Sequence, residues 1–226
     1  MILVKFSTVN RRWAADHGIS KEEGYSIGIR KIGDVLTWCK ELDISMLTMW
    51  GFSTDNFKRD PQEIKALFEL FKTNLKQGLS KSTETDNSKQ VRVRFFGRLH
   101  LLPQEIQSMI KTFESQTKNP DAKYQLNLLL SYGGREEIVD AVNSIIKQGL
   151  KDIDEKTFRE NLYLKNLPDP DLIIRTSGEQ RLSGLLPFQS CYSEFYFTKK
   201  LWPDFSKSDL IDAIDEYSKR KRRYGS

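Results

Sequence analysis

Leu172-Ile-Ile-Arg175-Thr-Ser-Gly-Glu-Gln-Arg181-Leu-Ser183 decides the fold class of this chain. Its apolar start, Leu172–Ile174, has the composition of a strand buried on both faces of a parallel sheet. The run then turns abruptly polar. Open α/β sheets bind ligands just beyond the carboxyl ends of such strands. Two guanidiniums, three hydroxyls and a glycine that admits close backbone approach suit an anion with several oxygens, such as a diphosphate. A solvated strand-to-loop turn has the same composition, so this stretch alone leaves both readings open.

Working outward, short apolar runs alternate with longer amphipathic ones. Ile2–Ser7, Ser45–Ser53, Val91–Gly97, Tyr124–Tyr132, Leu172–Thr176 and Glu194–Thr198 read as strands. Ile27–Glu41, Gln62–Gly78, Pro103–Gln116 and Glu136–Gln148 show helical spacing. Such alternation predicts parallel pairing with helices on both faces. The polar segment Ser80–Gln90 reads as a surface connection. Without an internal repeat or a Pro/Gly-rich linker, residues 1–226 read as one domain. On the helix Gln62–Gly78, residues Ile64, Leu67, Phe68, Phe71 and Leu75 share a face. That face packs a core or walls an apolar cleft, and periodicity does not choose between them.

The 226 residues carry a formal net charge of +5, with 38% hydrophobic and 30% charged residues. Those proportions fit a water-soluble globular protein with anionic partners. Much of the excess charge lies in the tail Lys219-Arg220-Lys221-Arg222-Arg223, so it says little about a site. Beyond that tail and scattered aromatics, nothing supports nucleic-acid binding. Cys39 and Cys191 sit in no metal or redox motif and read as two buried thiols. His17 and His100 lack metal-ligand neighbours and read as surface residues. No apolar run approaches the roughly 18 residues of a membrane span, and the first residues do not resemble a signal peptide. The expected location is cytoplasmic, with peripheral membrane contact allowed.

Four polar clusters fall at predicted strand ends. Asn10-Arg11-Arg12-Trp13 follows the first strand, with Lys21 further on. Ser53-Thr54-Asp55-Asn56-Phe57-Lys58-Arg59 follows the second. Tyr132-Gly133-Gly134-Arg135 follows the fourth and reads as an architectural βα turn. Arg175–Ser183 follows the fifth, with Glu194 beyond it. Singly each is weak, since Arg pairs are usually solvated and Ser-Thr-Asp-Asn usually caps a helix. Jointly they place several cations and polar groups on one edge of one sheet.

Together these segments resemble the cis-prenyltransferases, the undecaprenyl and dehydrodolichyl diphosphate synthase family. Asn10-Arg11-Arg12-Trp13-Ala14 looks like the end of the family's first signature. Gly24 and Gly28 match its following glycine segment. Phe52–Arg59 is similar to its F-S-x-E-N-[WF]-x-R stretch, and Asn127–Arg135 to its N-[IL]-x(3)-Y-G-G-R strand. Arg175–Ser183 matches its R-[TS]-[GS]-G-E-x-R-[LI]-S signature. Glu194–Phe197, Leu201–Phe205 and the ending Arg223-Tyr224-Gly225 complete the resemblance along the chain.

The resemblance implies a single α/β domain with a six-stranded, mostly parallel sheet flanked by helices, and an apolar tunnel for a growing prenyl chain. It implies that Val9, Asn10, Arg11, Arg12, Trp13, Lys21, Tyr25, Thr54, Asp55, Phe57 and Arg59 belong to the substrate site. Asn10, both arginines, Lys21 and Arg59 would hold the diphosphate of an allylic donor. Arg175, Arg181, Leu182 and Ser183 would hold isopentenyl diphosphate. Ser53 and Asn56 would assist proton removal, Glu194 would help hold Mg2+, and Arg223–Gly225 would reach a neighbouring subunit's site. The implied assembly is a dimer, with itself or with a second family member.

The sequence departs from the family at three positions, all in the donor half. Where the first signature has Asp-Gly, this chain has Thr8-Val9, and Tyr25 replaces a His. Thr8, at the catalytic Asp position, is neutral and a poor Mg2+ ligand. Val9 adds a β-branch where the backbone should approach a diphosphate. The resemblance therefore implies a prenyltransferase with altered metal use, donor or acceptor, the acceptor being isopentenyl diphosphate, a second allylic diphosphate or a phosphorylated alcohol, or else an ordinary long-chain synthase despite Thr8. The alternative is a non-catalytic or regulatory subunit of a hetero-oligomeric synthase.

Overall fold

The computed structural model describes residues 2–6, 10–84 and 90–220. Thr8, Val9 and Arg223–Gly225 lie outside the described residues. The elements run β1 (Ile2–Phe6), α1 (Asn10–Asp16), α2 (Lys21–Glu41), β2 (Met46–Ser53), α3 (Pro61–Glu84), β3 (Val91–Phe96), α4 (Gln104–Gln116), β4 (Tyr124–Tyr132), α5 (Gly134–Lys147), α6 (Glu155–Glu160), β5 (Leu172–Arg175), β6 (Glu194–Phe197) and α7 (Lys207–Lys219). The strands form one sheet in the order β3-β4-β2-β1-β5-β6, and every pairing is parallel.

That order explains where a ligand goes. The chain leaves β1 toward β2 on one side and later returns to β5 on the other. β1 thus sits at the switch point of the topology, where crevices open beyond the strands' carboxyl ends. The segments following β1, β2 and β5 all converge there.

Local chemistry accounts for the elements. Ser20 caps α2: its Oγ accepts from the Glu23 amide at 3.2 Å, and Glu23 Oε2 accepts from the Ser20 amide at 3.0 Å. This capping box starts α2 at Lys21, six positions before the expected start at Ile27. Gly24 and Gly28, poor helix formers, mask that first turn and a half in the sequence. Ser206 and Asp209 form the same box for α7, which sequence periodicity missed, as it missed α1 and α6. Pro61 opens α3, which runs through Glu84, into the segment read as a connection. Its polar end lacks the apolar face that periodicity detects.

The sheet's two faces bury separate clusters. One gathers Val35, Cys39, Leu47, Met49, Phe52, Leu67, Val93 and Leu126 beneath α2, α3 and α4. The other gathers Trp50, Leu129, Tyr132, Ile173, Leu185 and Leu186 beneath the segment around Leu164. Cys39 is buried as expected, but Cys191 is exposed. It follows Ser190 in the irregular stretch before β6, where no strand or helix covers it. Among the described residues, no helix is long and apolar enough to cross a membrane.

Candidate active site

Glycine lets α1 lie against α2. A Cβ on Gly24 would stand 2.8 Å from Ala14 Cβ and from the Asn10 carbonyl oxygen. One on Gly28 would stand 2.3 Å from Asn10 Nδ2. Close backbone approach therefore fixes the start of α1. Trp202 Nε1 donates to the Gly28 carbonyl at 2.7 Å, and Trp13 Nε1 donates to Asp204 Oδ1 at 2.7 Å. The expected substrate residue Trp13 thus ties α1 to the turn that follows β6. Asn10 Oδ1 is buried with no hydrogen-bond partner among the described residues. Gly28→Ala should displace Asn10, lowering stability by about 1–3 kcal/mol as overpacking does and weakening donor-substrate binding. Thermal melts and a donor KM equal to those of the parent would refute this account of Gly28.

Glu63, one turn into α3, organises the cations nearby. Its side chain is 8% exposed and lies 3.7 Å from Arg11, 3.9 Å from Lys21 and 3.4 Å from Arg59. Tyr25 Oη donates to Glu63 Oε1 at 2.7 Å, and Arg59 Nη1 donates to Tyr25 Oη at 3.2 Å. Burial and the Glu63 carboxylate push the Tyr25 hydroxyl well above its usual range, so it stays a donor. Three cations from three elements thus share one buried carboxylate. Sequence reasoning passed over Glu63. An acidic residue in a first helical turn reads as a dipole partner, and its spacing of four from Arg59 was the available signal.

The expected acceptor segment is held differently. Arg175, Thr176 and Ser177 are buried. The Ser177 amide donates to the Lys200 carbonyl and the Gly178 amide to the Thr198 carbonyl, both at 2.8 Å. Ser177, Gly178, Ser183, Gly184 and Leu186 all have positive φ. Three of these are not glycine, each costing of order 1–3 kcal/mol, and such strain gathers at functional sites. Burial, then the charge of Arg181, lowers the pKa of Arg175, opposed by Glu179. Glu179 joins the two halves. It lies 3.5 Å from Arg12 and 2.6 Å from Arg181.

At the end of β2, the Ser53 amide donates to Asn56 Oδ1 at 3.1 Å. Thr54 Oγ1 donates to Glu136 Oε1 at 3.1 Å, and Asp55 pairs with Lys58 at the exposed surface. Phe57 joins an aromatic cluster with Phe52 and Phe68, and Leu182 packs on the second core. Gly133 and Gly134 are architectural: a Cβ on the first would meet Glu136 at 2.2 Å, and one on the second would meet Pro187 at 2.2 Å.

A cavity of about 930 Å³ opens beside this cluster, with Asn10, Arg11, Arg12, Asn56 and Arg59 on its wall. Its remaining walls include Ile32 and Leu36 of α2, Leu67, Phe71 and Leu75 of α3, and Val93, Phe95, Leu126 and Leu128 of the sheet. The shared face of α3 therefore walls a cleft, and Leu67 and Leu75 are also buried in the core. From Pro61 to Gly78 the helix extends about 25 Å at 1.5 Å per residue. At that distal end the Phe113 ring of α4 lies against Gly78. A Cβ there would stand 2.5 Å from Phe113 Cε2.

A Mg2+ ion does not fit the described residues. Among them, no group of three His, Cys, Asp or Glu side chains converges. Glu194 is engaged by Arg220 Nη1 at 2.7 Å, and Glu179 by two arginines.

Comparison with known proteins decides the family. Residues 9–225 match the prenyltransferase family model described as "Putative undecaprenyl diphosphate synthase". The chain belongs to this family of cis-prenyltransferases. It is 45% identical over 222 residues to the tritrans,polycis-undecaprenyl-diphosphate synthase (geranylgeranyl-diphosphate specific) of Thermoplasma acidophilum, covering 96% of this chain and 85% of that protein. It is 45% identical to an isoprenyl transferase of Thermotoga maritima, covering 96% and 92% of the two chains. Lavandulyl diphosphate synthase from Lavandula x intermedia, solved in complex with dimethylallyl diphosphate, superposes with a TM-score of 0.90 at 31% identity. That match covers 99% of this chain and 97% of the other. This cis-prenyltransferase is accordingly an enzyme of prenyl transfer.

Proposed function

We propose that this cis-prenyltransferase extends an allylic diphosphate with isopentenyl diphosphate, threading the growing chain into the cavity between α2, α3 and the sheet. The observation that carries this reading is the cavity itself: a mostly apolar slot of about 930 Å³ with Asn10, Arg11, Arg12 and Arg59 on its wall. Such a slot suits a ligand with an anionic head and an extended hydrocarbon tail. Asn10, Arg11, Arg12, Lys21 and Arg59 hold the donor diphosphate. Arg175, Arg181 and Ser183 hold that of the acceptor.

The chemistry follows from charge. The allylic C–O bond breaks and its electron pair leaves with the diphosphate. The π pair of the acceptor's double bond forms the new C–C bond, and a neighbouring carbon loses a proton. Negative charge grows on the leaving group, where prepositioned guanidiniums are most effective. Ser53 and Asn56, at the end of β2 and just beyond it, assist removal of that proton. Enzymes of this family use Mg2+. Among the described residues, no three His, Cys, Asp or Glu side chains converge to hold it. The dimer implied by the family has one observation behind it. Val139, Val142 and Ile146 form an exposed aliphatic stripe along α5, suited to a second subunit.

Incubation with labelled isopentenyl diphosphate and dimethylallyl, farnesyl or geranylgeranyl diphosphate, with and without Mg2+, tests the reading. Geranylgeranyl diphosphate is the first donor to try, because the Thermoplasma relative is geranylgeranyl-diphosphate specific. Label should enter apolar products longer than the starter. Because Phe113 lies against Gly78 in the cavity wall, Phe113→Ala should lengthen the products by at least one five-carbon unit. Consumption of dimethylallyl diphosphate alone would point instead to a second allylic molecule as acceptor. Label entering only when a second family member is added would point to a partner-dependent subunit.

A further inference from the structure

Both cationic halves of the site hold a carboxylate of the chain's own, and the two carboxylates differ in kind. Glu63 is buried and serves only the donor half. Glu179 is partly exposed and divides its two oxygens between the halves: Oε1 faces Arg12 at 3.5 Å, and Oε2 faces Arg181 at 2.6 Å. Arg12 Nη1 also reaches the Ser177 carbonyl at 3.5 Å, so α1 meets this loop at two neighbouring points. From this geometry we infer that Glu179 is an internal counter-anion that couples the occupancy of the two diphosphate sites. The inference rests on the assignment of Arg12 to the donor and Arg181 to the acceptor.

The coupling has a definite sign. In the free enzyme Glu179 neutralises both guanidiniums at once. The first diphosphate to bind, on either side, brings negative charge next to the carboxylate and displaces it. Displacement frees the other guanidinium too, so the second anion meets an unscreened cation. The first ligand thus bears the whole cost of moving Glu179, and the second binds more tightly. Arg12 and Arg181 have side chains 53% and 63% exposed. Ion pairs so exposed are weak enough for a diphosphate to break. By linkage, each ligand must tighten the other by the same factor. Glu179 acts through the two arginines and is therefore a positioning residue.

Calorimetric titration of isopentenyl diphosphate, with and without saturating farnesyl thiodiphosphate, tests this. The sulfur analogue occupies the donor site without ionising rapidly. In the wild type, the analogue should tighten isopentenyl diphosphate by about fivefold or more, the lower end of ordinary coupling. In Glu179→Gln, isopentenyl diphosphate alone should bind more tightly than to the wild type, and the tightening should vanish or reverse as the two anions repel each other. Glu179→Asp keeps the charge but is too short to span both guanidiniums, so it too should lose most of the coupling. A protein whose loop was merely damaged would bind isopentenyl diphosphate more weakly, the opposite shift. Equal coupling in wild type and Glu179→Gln, or no tightening in the wild type, overturns the inference while leaving the site assignment standing. A wild type that binds neither ligand overturns the site assignment, and the inference with it.

Discussion

Thr8→Asp is expected to raise Mg2+-dependent turnover with isopentenyl diphosphate by about two orders of magnitude, the scale of gaining one well-placed electrostatic stabiliser of the leaving group. The expectation starts from a mismatch. The described part of the site is rich in cations, with Arg11, Arg12, Lys21 and Arg59 around the proposed donor half and Arg175 and Arg181 in the proposed acceptor half. It is poor in available carboxylates. Glu63 is enclosed by three cations and Tyr25, Glu179 by two arginines, and Glu194 by Arg220. A divalent cation requires oxygen ligands that are not already neutralised. Position 8, which lies in the sequence between β1 and α1, is where the resemblance leads us to expect an Asp. It precedes by two residues the helix that carries Asn10, Arg11 and Arg12. Initial rates for parent and Thr8→Asp, with Mg2+ and with a chelator, measure the effect. Unchanged Mg2+-dependent turnover in Thr8→Asp would assign the metal role to another residue.

The second large effect falls on stability, at the opposite face of the sheet. Glu137 is fully buried. Tyr132 Oη donates to its Oε2 at 2.7 Å, the Tyr163 amide to its Oε1 at 3.0 Å, and Gln189 Nε2 to both oxygens at 3.2 Å. Removing one member of a buried charged network leaves its partners unsatisfied, at about 3–5 kcal/mol. Glu137→Ala should therefore lower the melting temperature by roughly 10 °C in a chain of this length. A fall of only a degree or two would mean that water replaces the carboxylate.

Glu137 also predicts a pH dependence. Burial raises its pKa above the ordinary carboxylate range, more than the hydrogen bonds from Tyr132, Gln189 and Tyr163 lower it. The folded state therefore holds this proton more tightly than the unfolded chain does. The resulting stabilisation is fully present below the unfolded carboxylate pKa of about 4.3 and is lost as pH rises through the folded value. Stability of the parent, measured by urea unfolding relative to Glu137→Gln, should decline from pH 4 upward and then level off. A difference that rises with pH would contradict that sign.

Much of this was legible in the sequence, because parallel α/β folds write their sites at strand ends. The runs ending in Asn10–Arg12, Asn56–Arg59 and Arg175–Ser183 could be placed on one edge before any coordinates. The strand limits also came close: Tyr124–Tyr132 matches residue for residue, and the other five differ by one residue at an end. The helices were less legible where their apolar face was short. α1 has seven residues, and the start of α2 is interrupted by two glycines whose purpose is contact with α1. Cys191 read as buried because cysteine usually is, and only the path of the chain before β6 exposes it.

The amino-acid order by itself determined the strand-helix alternation, the family, and the expectation of Asp-Gly where Thr8-Val9 stand. All three depend on residue type and spacing along the chain. Only the tertiary structure decided how the charges are paired. Glu63 stands 52 positions from Arg11, yet a buried carboxylate must find cations wherever the fold brings them. Arg12 and Glu179 come from opposite ends of the chain and meet because β1 and β5 are neighbours in the sheet. The contact of Phe113 with Gly78 in the cavity wall is tertiary for the same reason. Two helices joined through a strand and a turn approach closely only where one of them lacks a side chain.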